Sequence, residues 1–118
     1  MTYSHMRIGN ILATNMELTP AIRQYVEEKL SYLDELLPED PSIMADVEVG
    51  KTTMHHQKGD VMRCEVNLQV PGELLRVEKT EEDLYKAIDK VKDHLARQIK
   101  DWRGRQMDKN RQPRPDKV

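Results

Sequence analysis

Met62-Arg63-Cys64-Glu65-Val66-Asn67-Leu68-Gln69-Val70-Pro71-Gly72-Glu73-Leu74-Leu75-Arg76-Val77 alternates apolar and polar residues, breaks at Pro71-Gly72, and resumes at Leu75 and Val77. A period of two sends successive side chains to opposite faces of a strand. Met62, Cys64, Val66, Leu68 and Val70 therefore face a core, and Arg63, Glu65, Asn67 and Gln69 face water. The Pro-Gly pair makes a tight turn, so the two runs form an antiparallel hairpin. Upstream, Ile43, Ala45, Val47 and Val49 repeat the pattern with Met44, Asp46, Glu48 and Gly50 on the other side, which adds a third strand. The polar, turn-rich stretch from Lys51 to Asp60, with His55-His56 and Lys58-Gly59-Asp60, reads as a mobile hairpin loop joining it to the next strand.

On either side of this three-strand unit the period changes to 3.6. Thr19 is a good helix N-cap, Pro20 suits the first helical position, and Leu18 can staple onto the first turn. Ile22, Val26, Leu30, Leu33 and Leu37 then recur at helical spacing until Pro38 and Pro41 end the segment. After the strands, Thr80 is the expected cap of a second helix, with Glu81, Glu82 and Asp83 against the positive end of its dipole. Leu84, Ile88, Val91, Leu95, Ile99 and Trp102 form one apolar stripe over about five turns. Residues 6–14 are a short, partly β-branched run ending before an Asn15-Met16-Glu17 turn, a first strand whose inward face the pattern does not fix. The order β-α-β-β-β-α predicts a two-layer α/β sandwich: a four-stranded sheet with two helices packed on one face.

With 118 residues, the chain is long enough for one core and too short for two domains. The expected folded unit is 1–105. Beyond Gly104 there is almost nothing to bury, so 106–118 is expected to be a disordered basic tail. Aromatic content is 4% with no Phe, which disfavours a stacked cofactor, and none is expected. The formal net charge of -2 conceals a split: residues 1–89 sum to -8 and residues 90–118 to +6. A basic end on an acidic body suits a polyanionic partner. There is no apolar leader-like run at the N-terminus and no stretch near the roughly 18 apolar residues of a spanning helix. The expectation is a soluble, cytoplasmic protein with no membrane partner.

No constellation supports catalysis, so the chain reads as a binding module with no small-molecule substrate. His55 and His56 are adjacent, and on an extended chain they point to opposite faces. They could chelate a metal only with help from Asp60 or His5. Lone Cys64 reads as a small buried hydrophobe, because Arg63 should point away from it. His94 reads as a surface residue or a minor RNA contact, and Tyr85 as packing at the sheet edge. Lys86, Lys90, Arg97 and Lys100 lie off the apolar stripe of the second helix, and Arg103 and Arg105 extend the positive charge past its expected end. A merely solvated helix side gives the same pattern. Tail cations, Lys79 at the helix entrance, and Arg23 and Lys29 on the first helix speak for a binding surface, one groove if the helices lie side by side.

Four stretches resemble the short ribosome hibernation-promoting factors, also called ribosome-associated inhibitors or ribosomal subunit interface proteins. They are Met16-Glu17-Leu18-Thr19-Pro20-Ala21-Ile22-Arg23, Glu28-Lys29-Leu30, Glu82-Asp83-Leu84-Tyr85-Lys86-Ala87-Ile88-Asp89 and Leu95-Ala96-Arg97-Gln98-Ile99, in the family's order within residues 6–103. The resemblance implies a β-α-β-β-β-α domain that binds the small ribosomal subunit, and hence the whole ribosome, in the channel for messenger and transfer RNA. It would inhibit translation under stress or in stationary phase without being an enzyme. The resemblance assigns ribosomal RNA backbone contacts to Arg23, Lys29, Lys79, Lys86, Lys90, Arg97 and Lys100, with Arg103 and Arg105 added by continuity. Six basic residues against six acidic ones in 81–103 weaken the electropositive surface, and the short basic tail is not expected to pair ribosomes by itself. The alternatives are a generic double-stranded RNA-binding module and a metal or redox protein using His55, His56 and Cys64.

Overall fold

In the computed structural model, which describes residues 7–52 and 61–110, the chain forms strand β1 (Arg7–Thr14), helix α1 (Pro20–Ser31), strands β2 (Met44–Lys51), β3 (Met62–Val70) and β4 (Glu73–Glu81), and helix α2 (Leu84–Asn110). The sheet order is β1-β2-β3-β4. β1 runs parallel to β2, and the remaining pairs are antiparallel. Parallel neighbours need a long crossover rather than a tight turn, and α1 fills it. Pro71-Gly72 closes the β3–β4 hairpin, with Gly72 at φ 85°, in the left-handed region that an L side chain resists. Ile43, Ala45, Val47 and Val49, together with Cys64, Val66, Leu68 and Val70, are buried beneath the helices. The expected two-layer sandwich is thus the observed architecture, with α2 lying against β3 and β4 and α1 against α2.

The inward face of β1 is set by a bulge. Ile8 pairs with Ala45 and Ile11 with Val47, although they are three residues apart, because the register slips by one between Ile8 and Asn10. Strict alternation would have sent one of them to solvent; the extra residue returns both to the core side. At the other end of the strand Gly50 lies so close to β1 that a Cβ there would meet the Thr14 carbonyl oxygen at 2.7 Å. Asn15 follows at φ 58°, a conformation Asn tolerates, and its amide donates to the Lys51 carbonyl at 3.3 Å.

Three boundaries differ from the sequence reading. Helix α1 stops at Ser31 instead of running toward Pro38: Tyr32 caps it, and a single 3₁₀ turn at Asp34–Leu36 carries the chain on. Leu33 and Leu37, which flank that turn, are buried all the same. Thr80 is not a cap, because β4 extends through Glu81 and pairs Thr80 with Arg63. The start of α2 belongs to Asp83, whose carboxylate accepts from the Tyr85 amide at 3.0 Å and whose carbonyl accepts from the Ala87 amide at 3.1 Å. At its other end α2 passes straight through Gly104 to Asn110, so residues 106–110, placed by the sequence in the tail, are helical. Trp102 Nε1 donates to the Pro71 carbonyl at 3.1 Å and Arg105 grips Glu73 through two bonds of 3.0 and 2.8 Å. These contacts hold the last turns against the β3–β4 turn and outweigh a glycine's cost of about 1 kcal/mol. The rest of the expected tail, from residue 111, and most of the Lys51–Asp60 loop (53–60), including His55 and His56, lie outside the described residues.

Candidate nucleic-acid interface

A helix advances about 100° and 1.5 Å per residue, which divides the surface of α2 into three strips around its buried stripe. Toward α1 lie Tyr85, Asp89, Lys92 and Arg103. Toward β4 lie His94, Gln98 and Arg105. Opposite the core, Lys86, Lys90, Arg97 and Lys100 fall within roughly 80° of arc, which they share with exposed Asp93, and Lys86 and Arg97 are nearly in line about 16 Å apart. All four are exposed. Lys86, Arg97 and Lys100 form no ion pair with a carboxylate among the described residues, whereas Lys90 holds Glu81 at 2.6 Å. This outward ridge is the exposed cationic strip of α2.

The other sequence-assigned cations are distributed differently. Lys29 lies in the seam between the helices, 3.5 Å from Asp89 and over the rings of Tyr25 and Tyr32 at 5.2 and 5.7 Å. The Tyr25 hydroxyl donates to the same Asp89 carboxylate at 2.7 Å, and its ring meets Tyr85 edge-on at 4.8 Å. That hydrogen bond to Asp89 raises the phenol above its ordinary value. Burial pulls the Lys29 ammonium down, but Asp89 and Tyr25 outweigh it and leave it raised. Arg103 donates to the Leu36 carbonyl at 2.9 Å, tying α2 to the turn after α1. The seam is thus filled by aromatic rings and paired charges. It is not an open cationic groove, and Arg23, paired with Glu27 at 3.9 Å, lies on the flank of α1 turned away from α2. Arg105 is committed to Glu73. Lys79 projects from β4 toward α2, half-buried.

Lys92 was not among the residues picked out from the sequence, yet its ammonium sits 5.6 Å from the Tyr32 ring centre and 3.0 Å from Asp93. Its position one step beside the apolar stripe was the only signal, and it marked a stem packed at the edge of the seam.

Two other surfaces are acidic. A cleft of about 480 Å³ at the start of α2 is lined by Glu81, Glu82, Asp83 and Asp89 with Tyr25, Tyr85 and, at its edge with the ridge, Lys86. Across the molecule, the open face of the sheet carries Asp46, Glu48, Glu65 and Glu78, and its arginines are already spent. Arg63 contacts Glu48 at 3.2 Å, Glu65 at 2.7 Å, and Glu78, while Arg76 contacts Glu65. Glu65, expected in water, is 7% exposed because these two guanidinium groups cover it. A phosphate backbone is repelled from both surfaces, which leaves the outward ridge of α2 and its β4 flank.

The candidate redox and metal residues find little support among the described residues. Cys64 is buried, and burial pushes its thiol up to about 12, far from a reactive thiolate. Among the described residues no group of three or more His, Cys, Asp or Glu is placed to hold a metal ion, and no helix is long and apolar enough to cross a membrane.

The family model described as "Sigma 54 modulation protein / S30EA ribosomal protein" matches residues 10–107. A ribosome hibernation promotion factor of Deinococcus radiodurans is 35% identical over 94% of this chain and 56% of its own length. One from Lactococcus lactis is 37% identical over 89% of this chain and 52% of its own. The chain therefore spans about half the length of the curated relatives it matches. Among solved structures, the N-terminal domain of Thermus thermophilus Protein Y superposes with a TM-score of 0.69 at 38% identity, covering 81% of this chain and 98% of that domain. A ribosomal subunit interface protein of Coxiella burnetii shares the fold, with a TM-score of 0.66 at 18% identity over 83% of this chain and 98% of its own.

Proposed function

We propose, because this chain belongs to the Sigma 54 modulation protein / S30EA ribosomal protein family, that it is a ribosome hibernation factor: a cytoplasmic, non-enzymatic protein that binds the small ribosomal subunit in the channel for messenger and transfer RNA. Occupying that channel inhibits translation by steric competition, with no reaction step and no cofactor. The observation that carries the reading is the outward ridge of α2, where Lys86, Lys90, Arg97 and Lys100 stand together on a rigid helix whose opposite side is the core. Phosphate contacts from Lys and Arg give affinity and position without reading sequence, which suits structured ribosomal RNA with hidden base edges. The two acidic surfaces add direction, since the molecule can meet RNA with one side only. Lys79 supports the ridge from β4, and Lys29, Arg103 and Arg105 serve chiefly by holding α2 in place. Arg23 contributes only if the RNA also wraps the far flank of α1.

Lys86→Glu with Lys90→Glu tests this reading. Both side chains are exposed and away from the core, and the one ion pair lost, Lys90 with Glu81, is worth at most about 1 kcal/mol. The expected result is a folded protein whose cosedimentation with small subunits falls at least about tenfold. Undiminished cosedimentation by that variant removes the ridge from the account. Equal displacement by bulk duplex RNA would favour a generic double-stranded RNA-binding module.

A further inference from the structure

His94 lies on the β4 flank of α2 with its Nδ1 atom buried and without a hydrogen-bond partner among the described residues. The remainder of the residue is half-buried. Arg97 is one turn further along the same helix, and strand alternation turns Lys79 from β4 toward it; both guanidinium and ammonium act on the imidazole. The other charged groups on this flank are Glu81 from β4 and Lys90 from α2, which are paired with each other at 2.6 Å, and Asp101, one turn beyond Arg97. Asp93, next to His94 in sequence, is held by Lys92 at 3.0 Å. No carboxylate engages His94, Lys79 or Arg97 among the described residues. Two cations and an imidazole are thus gathered from two elements with no carboxylate in contact with them, Asp93 and Asp101 standing one turn to either side of Arg97, and such an arrangement is completed by an external anion.

Resting on the reading of α2 as the ribosome-facing element, we propose that Lys79, His94 and Arg97 form one phosphate-binding subsite, and that the imidazole takes up a proton from water when an RNA backbone phosphate docks there, so that binding tightens as pH falls. In the free protein, burial first and then Lys79 and Arg97 hold the imidazole below its ordinary value, so it is neutral near pH 7. A docked phosphodiester supplies the missing negative charge and favours the imidazolium. Linkage gives the sign: the bound state holds more protons, so affinity rises as pH falls through the bound value and levels off below the free one. Each unit between the two values is worth about tenfold in affinity.

The test is the affinity of the full chain for purified small subunits at constant ionic strength, at about pH 6 and about pH 8, where histidine changes charge. The wild type should bind several-fold to about tenfold tighter at the lower pH. His94→Gln should bind weakly at both, and His94→Lys, charged throughout, should bind tightly at both. His5, His55 and His56 remain in all three proteins, so a difference in slope belongs to His94. A wild-type affinity that does not change with pH, or an unchanged slope in His94→Gln, overturns the subsite. Absence of small-subunit binding by all three proteins at both pH values overturns instead the reading of α2 on which it rests, and the subsite with it.

Discussion

Arg63 organises the open face of the sheet. By gathering Glu48, Glu65 and Glu78 it makes a hydrogen-bonded acidic patch out of groups that would otherwise repel one another. Thr14 extends the patch to β1, its hydroxyl donating to Glu48 at 2.6 Å. The Thr14 bond first and Arg63 second hold the Glu48 carboxyl below its ordinary value. A carboxylate so lowered stabilises the fold above its unfolded value, near 4.5, and loses that contribution as pH falls through the lower folded one. Thr14→Val should therefore destabilise the protein by about 1 kcal/mol or less at neutral pH, and the difference from wild type should shrink in acid below about pH 4. Denaturant unfolding across that range checks it. A deficit independent of pH would mean that packing of Thr14, and not its bond to Glu48, carries the effect.

At the level of elements, the two helices divide the labour: α1 seals the core and α2 presents charge. The extent of α2 yields a prediction of its own. A Cβ at Gly104 would meet nothing within 4 Å, and the helix continues beyond it. Gly104→Ala should then stabilise the protein by up to about 1 kcal/mol and raise amide protection across 104–110. A loss of stability would show that the chain needs glycine there and that α2 ends where the sequence suggested. The strands were legible because alternation is local, and so was the Thr19 cap, whose hydroxyl accepts from the Ile22 amide at 3.2 Å. The true start of α2 was not: Thr80 and Asp83 are both competent caps, and the β3 ladder, which no local signal reports, claims Thr80. The same holds for Ile8 and Ile11, whose common side depends on a register slip against β2. For the candidate site, Lys86, Lys90, Arg97 and Lys100 were readable as a face from spacing alone. The pairing of Lys29 with Asp89 and of Arg105 with Glu73 was not, since those partners are 60 and 32 residues away.

For the whole molecule, the near-neutral net charge of -2 hides a strong polarity: an acidic open sheet on one side and a cationic helix ridge on the other. Such a body is steered into a polyanionic channel in one orientation and repelled in the opposite one. The four ridge cations predict that log affinity falls against log salt concentration with a slope of roughly -3 to -4, and each cation replaced by Gln should make it shallower by about one. Neutralising the sheet face, by contrast, leaves the slope unchanged.

Cosedimentation of the purified protein with small subunits, large subunits and whole ribosomes across a salt series, with bulk duplex RNA as competitor, tests the central claim most directly. Salt-sensitive binding to small subunits and whole ribosomes that the competitor does not displace is the expected result. Absence of ribosome binding at low salt, or full displacement by the duplex, would contradict it.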